Sequence, residues 1–403
     1  MAVEGAVAAT DGKRRLNRSA SRLRQGLRRL SLQAAALASL PVAASGQAPD
    51  AGVELRLSQY QEADLTADTL LYGSPHRYRI RVGELNAQLP LDEGRWGLDV
   101  RLSRETMSGA SSLASVRGED GRPVLLMSGA TIREQRNDLS LVLTRYRPGM
   151  QQAVSLYASG ENDYFSRGGG WSWSRDLAAR HWTVSLGAQA YQDRITPTDA
   201  SLYGRVQRAG KQRRLLQAGL ARVVDRNTVV QLGLERTWLR GYLADPYKLA
   251  DVRPDRNGQW VASLRLRRFW PGPALAQHLD WRYYQDDFGT RAHTWDLSAF
   301  RQAGPVHLGL SLRAYRQKAA RFYTPFAFEL PAELEQSSDF RLSGFGALEG
   351  RLQARWRLRH WQAGLVLQAY RSEAAWALDA DGRPGHPALV DFFRVTLELS
   401  YRF

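Results

Sequence analysis

From Phe393 to Phe403 the apolar and aromatic side chains fall on every second position (Phe393, Val395, Leu397, Leu399, Tyr401, Phe403), with Arg394, Thr396, Glu398, Ser400 and Arg402 between them. A period of two belongs to a β-strand with one apolar face and one polar face. The pattern recurs along the chain. Trp96, Leu98, Val100 and Leu102 oppose Asp99, Arg101, Ser103 and Glu105; Trp260, Ala262, Leu264 and Leu266 oppose Ser263, Arg265 and Arg267; Val306, Leu308, Leu310 and Leu312 oppose His307, Gly309, Ser311 and Arg313. Helical spacing fits none of these segments. The alternation predicts strands at roughly 53–63, 76–90, 94–106, 132–147, 151–162, 164–176, 180–194, 208–224, 227–241, 256–270, 275–289, 291–303, 305–320, 339–358, 360–375 and 390–403. Most exceed the ~9–11 residues that a tilted strand needs to cross a bilayer, whereas strands of soluble proteins average ~5–6.

Aromatic residues stand at both ends of the apolar face of the last strand, as at the two interfaces of a membrane. Alternate apolar residues running to a final Phe resemble the insertion signal of bacterial outer-membrane barrels, which makes Phe393, Val395, Leu397, Leu399, Tyr401 and Phe403 the expected assembly signal. The connections point the same way. Short ones (91–94, 147–150, 176–180, 224–227, 270–275, 303–305 and the turn near Arg359) alternate with long ones (64–75, 107–131, 195–207, 242–255, 321–338, 376–389), apart from tighter turns near Asn162 and Gly289. Periplasmic turns and extracellular loops alternate in this manner. The expected fold is all-β: a transmembrane antiparallel up-and-down β-barrel of about sixteen strands, in the bacterial outer membrane. Segment 76–90 is the least regular, because Tyr78, Ile80 and Val82 share one face while Leu85, Ala87 and Leu89 share the other. A bulge near Gly83 is expected to restore the face.

Composition adds a leader and removes several chemistries. Residues 1–46 combine a basic stretch (Lys13, Arg14, Arg15, Arg18, Arg22, Arg24, Arg28, Arg29), a short apolar run from Leu30 to Val42 and the small residues Ala43-Ala44-Ser45-Gly46, the organisation of a signal peptide, leaving 47–403 as the barrel. The formal charge is +16; eight basic and two acidic leader residues account for six of these, so the remainder carries +10. The arginines alternate with apolar residues instead of clustering, so nucleic acid is not an expected partner. Cysteine is absent, which excludes disulfides, thiolate metal sites and cysteine nucleophiles.

The polar faces supply the candidate chemistry. Asp99, Arg101, Glu105, Arg265, Arg267, Asp280, Arg282, Asp286, Asp296, Glu349, Arg351, Arg355, Arg394, Glu398 and Arg402 are expected to line the lumen. Both signs occur on neighbouring strands, so cross-strand ion pairs are expected, and the surplus of arginine favours anionic solutes. His293 with Asp286, Asp287 and Asp296 invites a metal or acid–base reading, but the spacing matches no ligand pattern, and a turn held by aspartate hydrogen bonds fits better. Gly168-Gly169-Gly170 lacks the Lys-Ser/Thr and helix of a phosphate loop and fits a close-packed strand. No Ser/His/acid set is recognisable, so no catalytic, metal or cofactor residue is assigned and no enzyme activity is expected. The expected function is a porin-like channel for small polar, weakly anionic solutes. The alternatives are the barrel of an envelope export or electron-transfer complex with a periplasmic or lipoprotein partner and, third, a lipid-modifying enzyme. The barrel-assembly machinery and outer-membrane lipid are the other expected partners.

Tyr242-Leu243-Ala244-Asp245-Pro246-Tyr247-Lys248 with Arg253-Pro254, Tyr283-Tyr284-Gln285-Asp286-Asp287-Phe288-Gly289 with His293-Thr294, and Ser108-Gly109-Ala110-Ser111 carry a further resemblance. In order and spacing they resemble an uncharacterised bacterial domain-of-unknown-function family of predicted outer-membrane barrels. The resemblance covers nearly all of the chain after the leader. It implies a fold and a location and transfers no functional residues.

Overall fold

The computed structural model describes residues 46–128, 132–177, 181–380 and 385–403. The leader up to residue 45, and parts of connections 107–131, 176–180 and 376–389, lie outside the described residues. The strands are β1 (Gly52–Glu62), β2 (Leu70–Tyr72), β3 (Arg79–Leu91), β4 (Trp96–Gly109), β5 (Ser112–Arg117), β6 (Pro123–Met127), β7 (Ile132–Arg147), β8 (Met150–Gly160), β9 (Tyr164–Leu177) and β10 (Trp182–Ile195). They continue as β11 (Ala209–Asp225), β12 (Thr228–Gly241), β13 (Arg256–Trp270), β14 (Leu275–Asp286), β15 (Arg291–Ala303), β16 (Val306–Gln317), β17 (Phe345–Leu358), β18 (Trp361–Glu373) and β19 (Phe392–Arg402).

All except β2, β5 and β6 join one closed barrel of sixteen strands, each antiparallel to its neighbours, and β1 shuts the ring by pairing with β19 from Gly52↔Arg402 to Glu62↔Phe392. Closure leaves no strand edge, so each strand is paired on both sides. The wall is inverted relative to a soluble core. Leu397 on the outer face is 55% exposed, and Leu57, Leu232, Leu312 and Leu352 are likewise bare, while Thr396 on the inner face is 7% exposed. A continuous apolar belt of this extent needs lipid to cover it. Aromatic rings border the belt. At the short-turn end Trp361, Tyr401 and Phe403 pack in series, with ring centroids 4.8 and 5.2 Å apart; at the other end His293 stacks on Trp295 at 5.4 Å and lies 5.9 Å from Trp281. The barrel is therefore a transmembrane one, as the alternation predicts.

Short turns close one end of the barrel, at 92–95, 148–149, 226–227, 271–274, 304–305 and 359–360, and the long connections gather at the other. Two expectations need correction. Strand β3 has no bulge: its register runs unbroken against both β1 and β4. Its outer face is Arg79, Arg81, Gly83, Leu85, Ala87 and Leu89 throughout. Ile80 and Val82 face inward near the long-loop mouth, packed with Tyr78, Tyr60 and Met107, so an apolar patch inside the barrel imitates a change of phase. The second correction concerns connections 64–75 and 107–131, expected as plain loops. They contain β2, β5 and β6, a small sheet in the order β2-β6-β5. Leu125 and Met127 of that sheet are buried with Ala110 and Ala388, against Leu65, Leu70 and Phe340.

Candidate functional site

The register sets charges in a row across the inner wall. Arg265 on β13 stands opposite Asp280 on β14, Asp280 opposite Asp296 on β15, Asp296 opposite Arg313 on β16, and Arg313 opposite Glu349 on β17. The bonds do not follow the register. Asp280 accepts from Arg267, two residues beyond Arg265, with Nη2 to Oδ2 at 2.7 Å. Arg313 Nε donates to Asp296 Oδ1 at 2.6 Å, and Arg351 Nη2 donates to Glu349 Oε1 at 2.8 Å. Each carboxylate of the row thus has its own guanidinium. Among the described residues, Arg265 and, one step along β14, Arg282 make no ion pair. They are diagonal neighbours across β13 and β14, about 7–8 Å apart by sheet geometry.

A second ladder closes the seam where the ends of the chain meet. Arg355 on β17 reaches across β18 to Glu398 on β19, Nε to Oε2 at 2.8 Å. The strand between presents Gly364, where an added Cβ would lie 3.0 Å from Glu398 Oε2 and 3.2 Å from Arg355 Cγ, so glycine leaves the gap the bridge passes through. On β1, Arg56 bonds Glu54 at 2.5 Å and lies 3.9 Å from Glu398. Arg394 Nη2 donates to Ser58 Oγ at 3.2 Å.

The other sequence-predicted residues also occupy inner positions. Asp99 accepts from Gln88 at 2.8 Å and Arg101 donates to Asn86 at 2.6 Å. Glu105 lies 3.5 Å from Arg136, which also reaches Asp138 and Glu161. Arg402 is on the inner face at the short-turn end. Asp286 holds the turn into β15, accepting from Tyr284, Asn257 and the Thr290 backbone. His293 is turned the other way. Its ring belongs to the outer aromatic belt and accepts from Trp281 Nε1 at 3.2 Å, so it cannot share a site with Asp286 and Asp296, which face inward. Among the described residues, the carboxylates brought within metal-ligating reach of one another are Glu134, Glu161 and Asp163, at the long-loop rim.

Sequence reasoning missed the cap over the long-loop end. Asp339, fully buried, accepts from Arg253 Nη2 at 2.9 Å and from Arg341 Nε at 2.9 Å; Arg341 also donates to Asp245 at 2.7 Å. Burial alone raises Asp339, yet Arg341, Lys248 and Arg253 together hold it well below the usual carboxylate range. Burial drives Lys248 down, opposed by Asp339 and Asp245, and its Nζ donates to the Ser112 carbonyl at 2.6 Å. Ser115 Oγ bonds the Pro325 carbonyl, and Ala327 N donates to the Ser115 carbonyl at 2.8 Å, tying the 110–131 connection to the 318–344 connection. His386 Nε2 lies 2.8 Å from the Ser338 carbonyl, and Arg77 donates to the Ala388 carbonyl at 3.1 Å. Five connections therefore interlock around Asp339. The available signal was the cluster Asp245, Lys248 and Arg253 in one family motif, whose partners lie about ninety residues away in the chain.

The family model described as protein of unknown function, DUF3570, matches residues 29–403. The chain belongs to that family. The resemblance carried by 242–254 and 283–294 is to such a family, and in this DUF3570 member the first motif builds the cap and the second builds the turn from β14 to β15. No curated protein matches the sequence. Among solved structures, the chain is similar to a bacterial polysaccharide outer membrane secretin, at 12% identity, covering 87% of this chain and 98% of that one, with a TM-score of 0.47. It is also similar to CdiB from Acinetobacter baumannii, at 8% identity over 88% of this chain and 60% of that one, TM-score 0.49. OccK1 (OpdK) of Pseudomonas aeruginosa is 9% identical over 89% of this chain and all of that one, TM-score 0.41.

Proposed function

We propose that this barrel resides in the bacterial outer membrane and passes small polar, weakly anionic solutes through a constricted lumen gated by the loop cap. The observation that carries the reading is the contrast on β13 to β17. Every carboxylate of the charged row is bonded to an arginine, while Arg265 and Arg282 beside it make no ion pair among the described residues. Two neighbouring cations with no direct bond to a carboxylate among the described residues attract an anion in transit, and the carboxylates nearby, Asp280, Asp296 and Glu235, keep the attraction weak. Sixteen strands enclose enough width for an aqueous path. The cap makes the long-loop mouth the narrow point.

The test is conductance in planar bilayers, using the full barrel and an Asp339→Asn variant that weakens the cap. Wild type is expected to show small or intermittent events, and the variant larger ones, with a reversal potential on the anion side in a salt gradient. Changing Arg265 and Arg282 together to Ser should move that potential toward cations, and high salt should shrink the difference by screening. Silence of both wild type and the Asp339 variant overturns the pore. The interlocked cap favours one second reading, a barrel serving as the scaffold of an envelope export or electron-transfer assembly, and silence would leave that reading standing.

A further inference from the structure

The outer wall carries charge, and nearly all of it has one sign. At the long-loop end, arginine recurs on outward positions of β3, β4, β7 and β9 to β13. On outward strand positions at that end, among the described residues, the one carboxylate is Glu373, and Arg371 bonds it at 2.6 Å. Arginine facing lipid is costly at the midplane and favourable where its side chain reaches phosphate at the interface.

Part of this charge lies where the wall is also hollow. Across β9, β10 and β11, Arg167 stands opposite Gln192, Gln192 opposite Gln212, and Arg214 opposite Ala190. These five residues, with Gly168 and Tyr191 between them, line a shallow groove of about 440 Å³. Arg194, one position higher on the same face, lies over the Phe165 ring at 5.8 Å. Toward the midplane the outward column of β10 turns small: Ala190 faces Gly169, and Ala188 next below lies between the exposed Trp171 of β9 and Leu216 of β11. The glycine run set aside as a phosphate loop thus contributes Gly169 to a trough under an arginine rim.

We infer that this groove binds a phosphorylated lipid of the outer leaflet, with Arg167 and Arg214 on the phosphate, Gln192 and Gln212 on neighbouring hydroxyls, and one acyl chain along Gly169, Ala190 and Ala188. The charge complementarity and the trough together select a lipid. Arginine pairs with phosphate in a bidentate manner that a lysine or a glutamine does not reproduce. Free phosphate would use the rim and leave the apolar trough idle. The inference rests on the membrane placement and is independent of an open lumen, so a barrel silent in bilayers remains a valid sample.

The purified full-length barrel in detergent is mixed with bis-phosphorylated lipid A or with its enzymatically dephosphorylated form, and bound lipid is counted by native mass spectrometry. Wild type should retain the phosphorylated form about tenfold better. Arg167→Gln with Arg214→Gln should remove that preference. Ala190→Leu, which fills the trough, should lower retention of both forms. Arg145→Gln with Arg222→Gln, outward at the short-turn end, should leave occupancy unchanged, and an unaltered heat-dependent shift in gel mobility certifies folding of each variant. Equal retention of the two lipids, unchanged occupancy in the Arg167 and Arg214 variant, or displacement of the lipid by millimolar inorganic phosphate overturns the inference.

Discussion

Asp280 and Asp296 stand directly opposite each other on β14 and β15, and each is bonded by an arginine from the strand on its far side, Arg267 of β13 and Arg313 of β16. Like charges in direct register destabilise a sheet unless each is neutralised. Replacing Arg313 by Gln leaves Asp296 facing Asp280 with no cation bonded to it, which should cost roughly 1.5–3 kcal/mol, the range for a hydrogen bond to a charged group. Urea titration of the barrel in vesicles measures it, and adding Asp296→Asn to Arg313→Gln should recover most of the loss. No recovery would mean that Arg313 acts by packing alone.

Gly364 is expected to be intolerant of a side chain. Val at this position would push between Arg355 and Glu398 and break the bridge across β18, leaving Glu398 with Arg56 at 3.9 Å and Arg355 parted from that carboxylate. The loss should be about 3–5 kcal/mol, as for a broken buried pair. Gly350, where an added Cβ meets nothing within 4 Å, is the control: Gly350→Ala should be near neutral. Similar unfolding midpoints for Gly364→Val and Gly350→Ala would show that the bridge contributes nothing to the seam.

The exposure of Leu397 separates lipid from water as its surroundings. At 55% exposed, Leu397→Arg would be almost free of cost in a water-soluble protein. In a bilayer it should cost roughly 2–4 kcal/mol near the midplane. Folding into vesicles followed by tryptophan fluorescence gives the value, and a neutral result would remove the membrane assignment of the outer face.

His386 should make the cap sensitive to acid. Burial pushes it down to about 3, with Lys248 adding to the effect, and Ala388 N donates to Nδ1 at 3.0 Å. Among the described residues, Lys248, Arg77 and Asp339 are the charged groups around it, with the Tyr323 and Phe340 rings alongside. The folded cap keeps the ring neutral, whereas an opened cap takes up a proton below the ordinary 6.5. Stability is therefore complete above that pH and is lost as pH falls toward the folded value. Asp339, held low, adds its own loss only below the ordinary carboxylate value of 3.8. Hydrogen exchange of 335–342 and 385–391, corrected for intrinsic rates, should rise between pH 6.5 and 4.5 in wild type and stay flat in His386→Gln, which can keep both bonds without titrating. Parallel profiles would clear His386 of the role.

The alternation by itself determined the sixteen barrel strands and which face of nearly every strand meets lipid. Each strand crosses the same two environments at every other residue, so the constraint is local and survives in one dimension. It misled at β3 because the inner face there is locally apolar around Ile80 and Tyr60, while Arg79 and Arg81 on the outer face lie above the belt. Only the tertiary structure decided which charges pair. An arginine reaches past its direct partner to the next inward residue along, so that Arg267 takes Asp280 in place of Arg265, which stands opposite it. The cap was equally hidden. Asp245, Arg253, Asp339 and His386 come from three separate connections, and what brings them together is the ring that sets the loops side by side at one mouth. The lipid-facing groove depends on three strands in register, placing Arg167, Ala190 and Arg214 on one patch of wall. Alternation along a single strand carries no information about that neighbourhood.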